Sequence, residues 1–362
     1  MKKTKLIITG GFLGAGKTTL IWEVARCLVL QGKRVGLVTN DQAPELVDSH
    51  ILKLSSLKVA EVAGSCFCCN FNGFVEAIHN LQKDVEADVI IAEPVGSCAD
   101  LSATIVNPLK QYHDTEVTMS PYSVLADPTR LKPILFGDNS GLHDDAAYIY
   151  RKQLEEADII VITKIDTLSA EELESLKKAT ANAFTSAKIM TLSSQAGTGV
   201  DEWFNEVNSR TDAGSKLLDI DYDRYAHGEA VLGWLNGTLR LTGDNVNWDA
   251  MLEKVMTDLS AAFANENLPI GHVKVIIENG KAFCVGNIAG AESALTLRGM
   301  AGTSDTAKLI VNARAETTPE HLDAMVNEVL DNALQGITSE ITAWRYLQPG
   351  RPNPTHRFSE TV

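Results

Sequence analysis

No apolar run in the 362 residues approaches the ~20 needed to cross a bilayer as a helix, so a membrane-spanning role is not expected. Positive charge is scarce: 32 Lys and Arg stand against 47 Asp and Glu, a formal net charge of −15. A surface of that sign repels nucleic acid and anionic membrane, and neither is expected as a partner. There is no internal repeat and no low-complexity tract. The six cysteines, Cys27, Cys66, Cys68, Cys69, Cys98 and Cys284, are too few and too scattered for a disulfide scaffold in so long a chain. The start, MKKTKLIITGGF, is basic and then apolar like a secretory leader. Its apolar stretch is short and runs straight into glycines, which reads as a buried strand. A cytoplasmic protein is expected.

What is present is ordinary globular material, 44% hydrophobic and 22% charged, enough for a sizeable core and, at this length, for two domains. The first half alternates β-branched runs with amphipathic segments. Strands are expected at 5–9, 34–39, 88–92, 158–163 and 188–192, and helices at 17–30, 73–82, 144–156, 169–184 and 200–207. Ser169 with Glu172 three residues on is a capping-box signal. Near-continuous apolar strands separated by helices imply a mostly parallel sheet covered on both faces. Around 209–224 the pattern breaks into polar, Asp-rich sequence. Beyond it the grammar is a strand at 230–241, a helix at 248–264, a hairpin over Asn279-Gly280, a strand at 307–311 and a helix at 319–332. The expected layout is an α/β domain over 1–210, a smaller α+β domain over 225–345, and a tail over 346–362. The tail carries Arg351, His356 and Arg357, and reads as either unstructured or packed across the body.

Gly11-Phe-Leu-Gly-Ala-Gly-Lys-Thr18 fits the phosphate-loop pattern, between an expected strand and an expected helix. Gly11, Gly14 and Gly16 let backbone N–H groups approach phosphate oxygens, and the backbone of Ala15 and Thr19 belongs to the same cradle. Lys17 brings a mobile charge to the β- and γ-phosphates, while the Thr18 hydroxyl ligates Mg2+. Glu93, ending the run IIAE, falls at the carboxyl edge of the sheet, where it holds Mg2+ or orients the attacking water. Gly96 offers an N–H to the γ-phosphate. Thr163-Lys-Ile-Asp166 matches the guanine-reading pattern Asn/Thr-Lys-x-Asp. Asp166 accepts from guanine N1–H and the 2-amino group, Lys164 packs on the ring, and Thr163 stands where asparagine is commoner. Adenine would leave Asp166 unpaired. Ser193–Gly199, Ser194 included, reads either as a loop closing over guanine O6 or as a plain turn.

Two further groups stay open on residues alone. Asp41 and Asp48, after the second strand, are either Mg2+-shell residues on a nucleotide-sensing switch or solvated loop acids. Cys66, Cys68 and Cys69, placed between the second and third strands, are either thiolates sharing a soft ion such as Zn2+ or another transition metal, or buried free thiols, or a redox pair. His79, alone on its helix, reads as structural.

Taken together, GGFLGAGKTT, VTNDQ, SCFCC, IIAEPVG, TKID and SSQAGTGVDEW resemble, in order and spacing, the metallochaperone GTPases that include CobW, UreG and HypB. The Cys-x-Cys-Cys element is most similar to the CobW branch, while VTND resembles the UreG branch. The resemblance covers roughly the first 210 residues. It implies a P-loop NTPase fold that binds GTP/GDP with Mg2+ and hydrolyses GTP. It further implies delivery of a metal ion or cobalamin to a client metalloenzyme or corrinoid protein, often from a homodimer. Competing expectations are a regulatory GTPase that gates a metalloenzyme without carrying metal, and a P-loop ATPase.

Overall fold

The computed structural model describes residues 3–41, 57–63, 65–137, 142–280, 282–288, 290 and 295–362, without the side chains of Asp41 and Ala63. Asp48 lies outside them. These residues form two compact units, the second running His227–Gly350 and the first holding the rest, including Arg351–Val362.

The first unit is built on strands β1 (Thr4–Gly11), β2 (Val35–Asp41), β3 (Lys58–Ala63), β4 (Val89–Glu93), β5 (Val117–Met119), β6 (Ser123–Ala126), β7 (Ile159–Ile162) and β8 (Lys188–Thr191). They pair in the order β3-β2-β4-β1-β6-β7-β8, with β5 also on β1, and every register is parallel. A wholly parallel sheet must be covered on both faces. One face carries α1 (Lys17–Leu30) and α7 (Val200–Ser209), whose Leu20, Val24, Trp203 and Val207 pack on Ile7, Leu37, Ile91 and Val161. Successive strand residues point to opposite faces. Gly36, flanked by Val35 and Leu37, therefore looks the other way, and a Cβ there would stand 2.9 Å from Leu81 of α2 (Phe71–Asp84). Helices α3 (Asn107–Tyr112), α4 (Pro128–Phe136), α5 (Asp144–Glu156) and α6 (Ala170–Ala183) complete the crossovers. The Ser169–Glu172 capping box is formed in both directions.

Three short strands, β3, β5 and β6, escaped the sequence pattern. Because β3 intervenes, the cysteine segment lies between the third and fourth strands and not between the second and third.

The second unit is an antiparallel sheet of β9 (Leu232–Asn247), β10 (Ile270–Glu278), β11 (Phe283–Ile288), β12 (Thr296–Gly299), β13 (Thr303–Glu316) and β14 (Thr338–Leu347), ordered β12-β11-β10-β13-β9-β14. Helices α9 (Trp248–Asn265) and α10 (Pro319–Ala333) bury Trp248, Val255, Phe263, Leu322 and Val326 in one core with Leu235, Leu239 and Val275. The strand expected from 230 begins at Leu232, because Tyr222–Ala230 is helix α8. Edge strand β14 was not anticipated: most of its residues are exposed, so no apolar alternation marks it.

Candidate functional site

Because β1, β4 and β7 run parallel, their carboxyl ends open on one edge of the sheet, where doubly wound folds place ligands. The phosphate loop leaves β1 there. Gly11 has φ 132° and sits so close to β6 that a Cβ would stand 2.5 Å from the Leu125 carbonyl. Gly16, the N-cap of α1, has φ 92°, makes no side-chain cap and has nothing within 4 Å of a Cβ position. An uncapped helix start leaves N–H groups that satisfy an anion well. Buried Lys17 donates to the Gly11 carbonyl at 2.7 Å and the Phe12 carbonyl at 3.2 Å, so the ammonium is folded back over its own loop.

The structure brings Thr18 and Glu93 together. The hydroxyl donates to the two carboxylate oxygens at 3.0 and 3.1 Å, and both residues are buried. Two hard oxygen donors at this spacing fit Mg2+, which takes carboxylate and hydroxyl ligands. A Cβ on Gly96 would lie 3.2 Å from Lys17 Nζ, which places that glycine against the phosphate loop. Thr19 is half-buried on the first turn of α1. Asp41 ends β2, its backbone paired with Ala63.

Thr163 reaches back to the phosphate loop: its hydroxyl donates to the Ala15 carbonyl at 2.9 Å and to Ala126 at 3.3 Å. A threonine thus makes a bridge that an asparagine amide would otherwise supply. Lys164, at φ 52°, ion-pairs with buried Asp127, the residue that caps α4 by accepting from the Thr129 N–H at 2.8 Å. Asp166 lies exposed on the following 3-10 turn. The Ser193–Gly199 segment is closed by a Ser193–Thr198 bridge, with Ser194 half-buried in it, and the Ile165 N–H donates to the Leu192 carbonyl at 3.5 Å.

The three clustered cysteines converge. Cys66 Sγ lies 3.0 Å from Cys68 Sγ and 3.2 Å from Cys69 Sγ, and Cys68 and Cys69 are 3.9 Å apart. Sulfurs around one tetrahedral Zn2+ stand ~3.8 Å apart, given Zn–S of ~2.3 Å, so the trio needs only a slight spreading to hold such an ion. Hydrogen bonds from Cys68, and next from Cys69 and Cys98, hold the Cys66 thiol far below the usual range. The same contact with Cys66 raises Cys68, and raises Cys69 to about 11. Cys66 is thus the thiol of the trio that its neighbours favour in the ionised form.

Several residues that hold this arrangement were not singled out from sequence. Buried Asn40, on β2, donates to the Val62 and Ser65 carbonyls at 2.8 Å each and accepts from the Phe67 N–H at 2.7 Å, which ties the cysteine loop to the strand before Asp41. Cys98 sits against Cys66 on the same loop that carries Glu93 and Gly96. Gln153 clamps that loop, donating to the Gly96 carbonyl at 2.9 Å and the Cys98 carbonyl at 2.8 Å. The tail is ordered over the cysteines. The Thr355 N–H donates to the Cys68 carbonyl at 2.8 Å, the Asn353 N–H to Cys69 Sγ at 3.2 Å, and Arg357 to buried Asp100 at 2.7 Å. Asn40 stood inside the quoted VTNDQ and Cys98 inside the cysteine count, but no spacing rule joins them to the cluster.

Comparison with known proteins fits this geometry. The family model described as "CobW/HypB/UreG, nucleotide-binding domain" matches residues 5–191. Zinc chaperone CobW of a Sinorhizobium species is 26% identical over 201 residues, covering 48% of this chain and 54% of that protein. Zinc chaperone YeiR of Escherichia coli K12 is 29% identical over 186 residues, covering 49% and 51%. The chain thus spans about half the length of the curated relatives it matches. Among solved structures, the hydrogenase maturation factor HypB of Archaeoglobus fulgidus aligns at 18% identity over 57% of this chain and 90% of that one, with a TM-score of 0.41. The matched span exceeds half of the 362 residues and contains the phosphate loop, the cysteine trio, Glu93 and the Thr163–Asp166 loop, so the chain belongs to the CobW/HypB/UreG family.

Proposed function

We propose that this chain hydrolyses GTP to drive delivery of a transition-metal ion, with Zn2+ as the foremost cargo, to a client protein. The observation that carries the reading is the loop Glu93–Cys98, which meets Thr18 and Lys17 at one end and Cys66 at the other. Nucleotide chemistry and thiolate chemistry thereby share one short, clamped segment.

In this reading Lys17 leaves the Gly11 and Phe12 carbonyls for the β- and γ-phosphates, and the N–H groups of residues 14–19 surround them. Thr18 and Glu93 hold Mg2+, which when bound neutralises charge on the transferring phosphoryl group. Asp41, and Asp48 beyond the described residues, belong to the segment that senses the γ-phosphate. Water is the nucleophile. Asp166 selects guanine while Lys164, steadied by Asp127, packs along the base, and the Ser194 segment closes the rim. Loss of the γ-phosphate releases Gly96, and the loop passes that displacement to Cys98 and the thiolates. Cobalamin is a second candidate cargo, and an assembled homodimer a candidate working form.

The test is zinc affinity measured by chelator competition on protein loaded with GDP and with a non-hydrolysable GTP analogue. A difference of about tenfold, ~1.4 kcal/mol of coupling, is expected. Equal affinities remove the coupling. ATP competing as well as GTP for the site removes the guanine reading, and Asp166→Asn should shift preference toward xanthine nucleotide.

A further inference from the structure

Helix α2 starts two residues after Cys69 and carries His79, which the fold does not leave alone. The turn between α3 and β5 brings two more donors to it. His79 Nε2 lies 2.6 Å from Glu116 Oε2, and His113 Nδ1 lies 3.1 Å from the same oxygen. The two imidazole rings are 5.8 Å apart, inclined at 64°, and the three ligand atoms all lie within 4.8 Å of one another.

The frame around them is firm. The N–H groups of Glu116 and Val117 donate to the His113 carbonyl at 3.0 and 3.1 Å, which sets His113 and Glu116 side by side. Gln82, one turn beyond His79 on the same helix face, donates to the Glu116 carbonyl at 3.1 Å and to Thr4 Oγ1 at 3.1 Å. The Thr4 N–H at the start of β1 donates to that Glu116 carbonyl too. Helix, turn and sheet thus fix the three donors in position. Their side chains remain open to water, at 46% for His79, 20% for His113 and 40% for Glu116.

We propose that His79, His113 and Glu116 form a second metal site, one that takes a zinc-class divalent cation independently of the cysteines. Two nitrogens and one carboxylate oxygen are the donor set of an open zinc centre, three protein ligands with a fourth position left for water or an incoming ligand. Donors at ~2.1 Å from a tetrahedral ion stand ~3.4 Å apart, so the present contacts need to open by only ~0.8 and ~0.3 Å. One cation replaces both hydrogen bonds, because both imidazoles already address the same oxygen. Imidazole and carboxylate bind Zn2+ less tenaciously than a thiolate trio and exchange it more readily. The site is therefore an exposed loading station on the same helix that the cysteine loop feeds into. The alternative is a hydrogen-bonded His–Glu–His patch that binds nothing.

The experiment uses the full chain with Cys66, Cys68 and Cys69 changed to Ser, titrated with Co2+ alone. One cobalt per chain is expected, with visible d–d bands and no sulfur-to-cobalt charge transfer. Adding His79→Gln and His113→Gln, both on solvent-open side chains, should weaken that binding at least ~10-fold while circular dichroism stays unchanged. Cobalt uptake that is absent from the cysteine-free chain, or indifferent to the two histidine changes, overturns the proposal. Neither result touches the nucleotide-coupling reading, whose test is made on the cysteine site.

Discussion

Asn40 is the residue through which strand β2 grips the cysteine loop, and its removal tests whether the thiolates are pre-organised. In Asn40→Ala the Val62 and Ser65 carbonyls lose their 2.8 Å donors and the Phe67 N–H loses its 2.7 Å acceptor. Three bonds, two of them buried and one part-buried, at about 1 kcal/mol each give about 3 kcal/mol, most of it falling on the segment that carries Cys66. If that ordering must then be supplied when metal binds, zinc affinity falls about 100-fold. Asn40→Asp keeps the acceptor for Phe67 but loses both donors and sets a carboxylate against the Val62 and Ser65 carbonyls, so it should also loosen the cysteine loop. The assay is zinc competition against a chromophoric chelator, run beside GTP binding, which reads the phosphate loop and should stay at the wild-type value. Zinc affinity unchanged in Asn40→Ala, in a folded protein, would refute the claim that β2 positions the thiols.

Thr163→Val removes the 2.9 Å bond to Ala15 and leaves Asp166 intact, so fluorescent GTP and GDP analogues should both bind about 5-fold more weakly, about 1 kcal/mol, with guanine preference unchanged. Arg357→Ala releases the tail from Asp100, and loss of a charge-assisted bond of about 1.5 kcal/mol should speed alkylation of half-buried Cys69 roughly tenfold, read by mass spectrometry. Burial holds the Glu156 carboxyl well above its ordinary 4.5 while its Oε2 accepts from the Ser102 N–H at 3.1 Å. Above that ordinary value the unfolded chain releases a proton that the native chain retains, so this group's contribution to stability falls with rising pH, about 1.4 kcal/mol per unit, until the native carboxyl ionises. Glu156→Gln keeps the hydrogen bond and is neutral throughout. Urea unfolding across pH should therefore show a shallower decline in the variant, and parallel curves would contradict a protonated Glu156.

Elements with strong local periodicity were legible: α1 at Lys17–Leu30 and α5 at Asp144–Glu156 have the bounds that their patterns indicate. Helix α6, with its capping box, lies within a residue of its expected ends. Strand β3 and helix α8 were not, the one a short run beside a polar segment, the other built from Asp-rich sequence with a weak apolar stripe. Edge strand β14 exposes most of its residues and so carries no alternation to read.

For the site, the divide falls between chemistry and assembly. The residue types of the phosphate loop, of Thr163–Asp166 and of the cysteine trio announce themselves because backbone cradles, base edges and soft ions each demand a short contiguous pattern. What the linear order conceals is every contact made across the sheet. Asn40 reaches Phe67 over 27 positions, Thr163 reaches Ala15 over 148, and the tail residue Asn353 meets Cys69 over 284. His79 looked solitary along the chain and gained His113 and Glu116 only when β5 paired with β1 and set that turn beside α2. Short-range pattern settles what a segment can bind. Parallel pairing and packing alone decide which segments share a site, because the spacing of residues within a segment does not encode which distant segments become its neighbours.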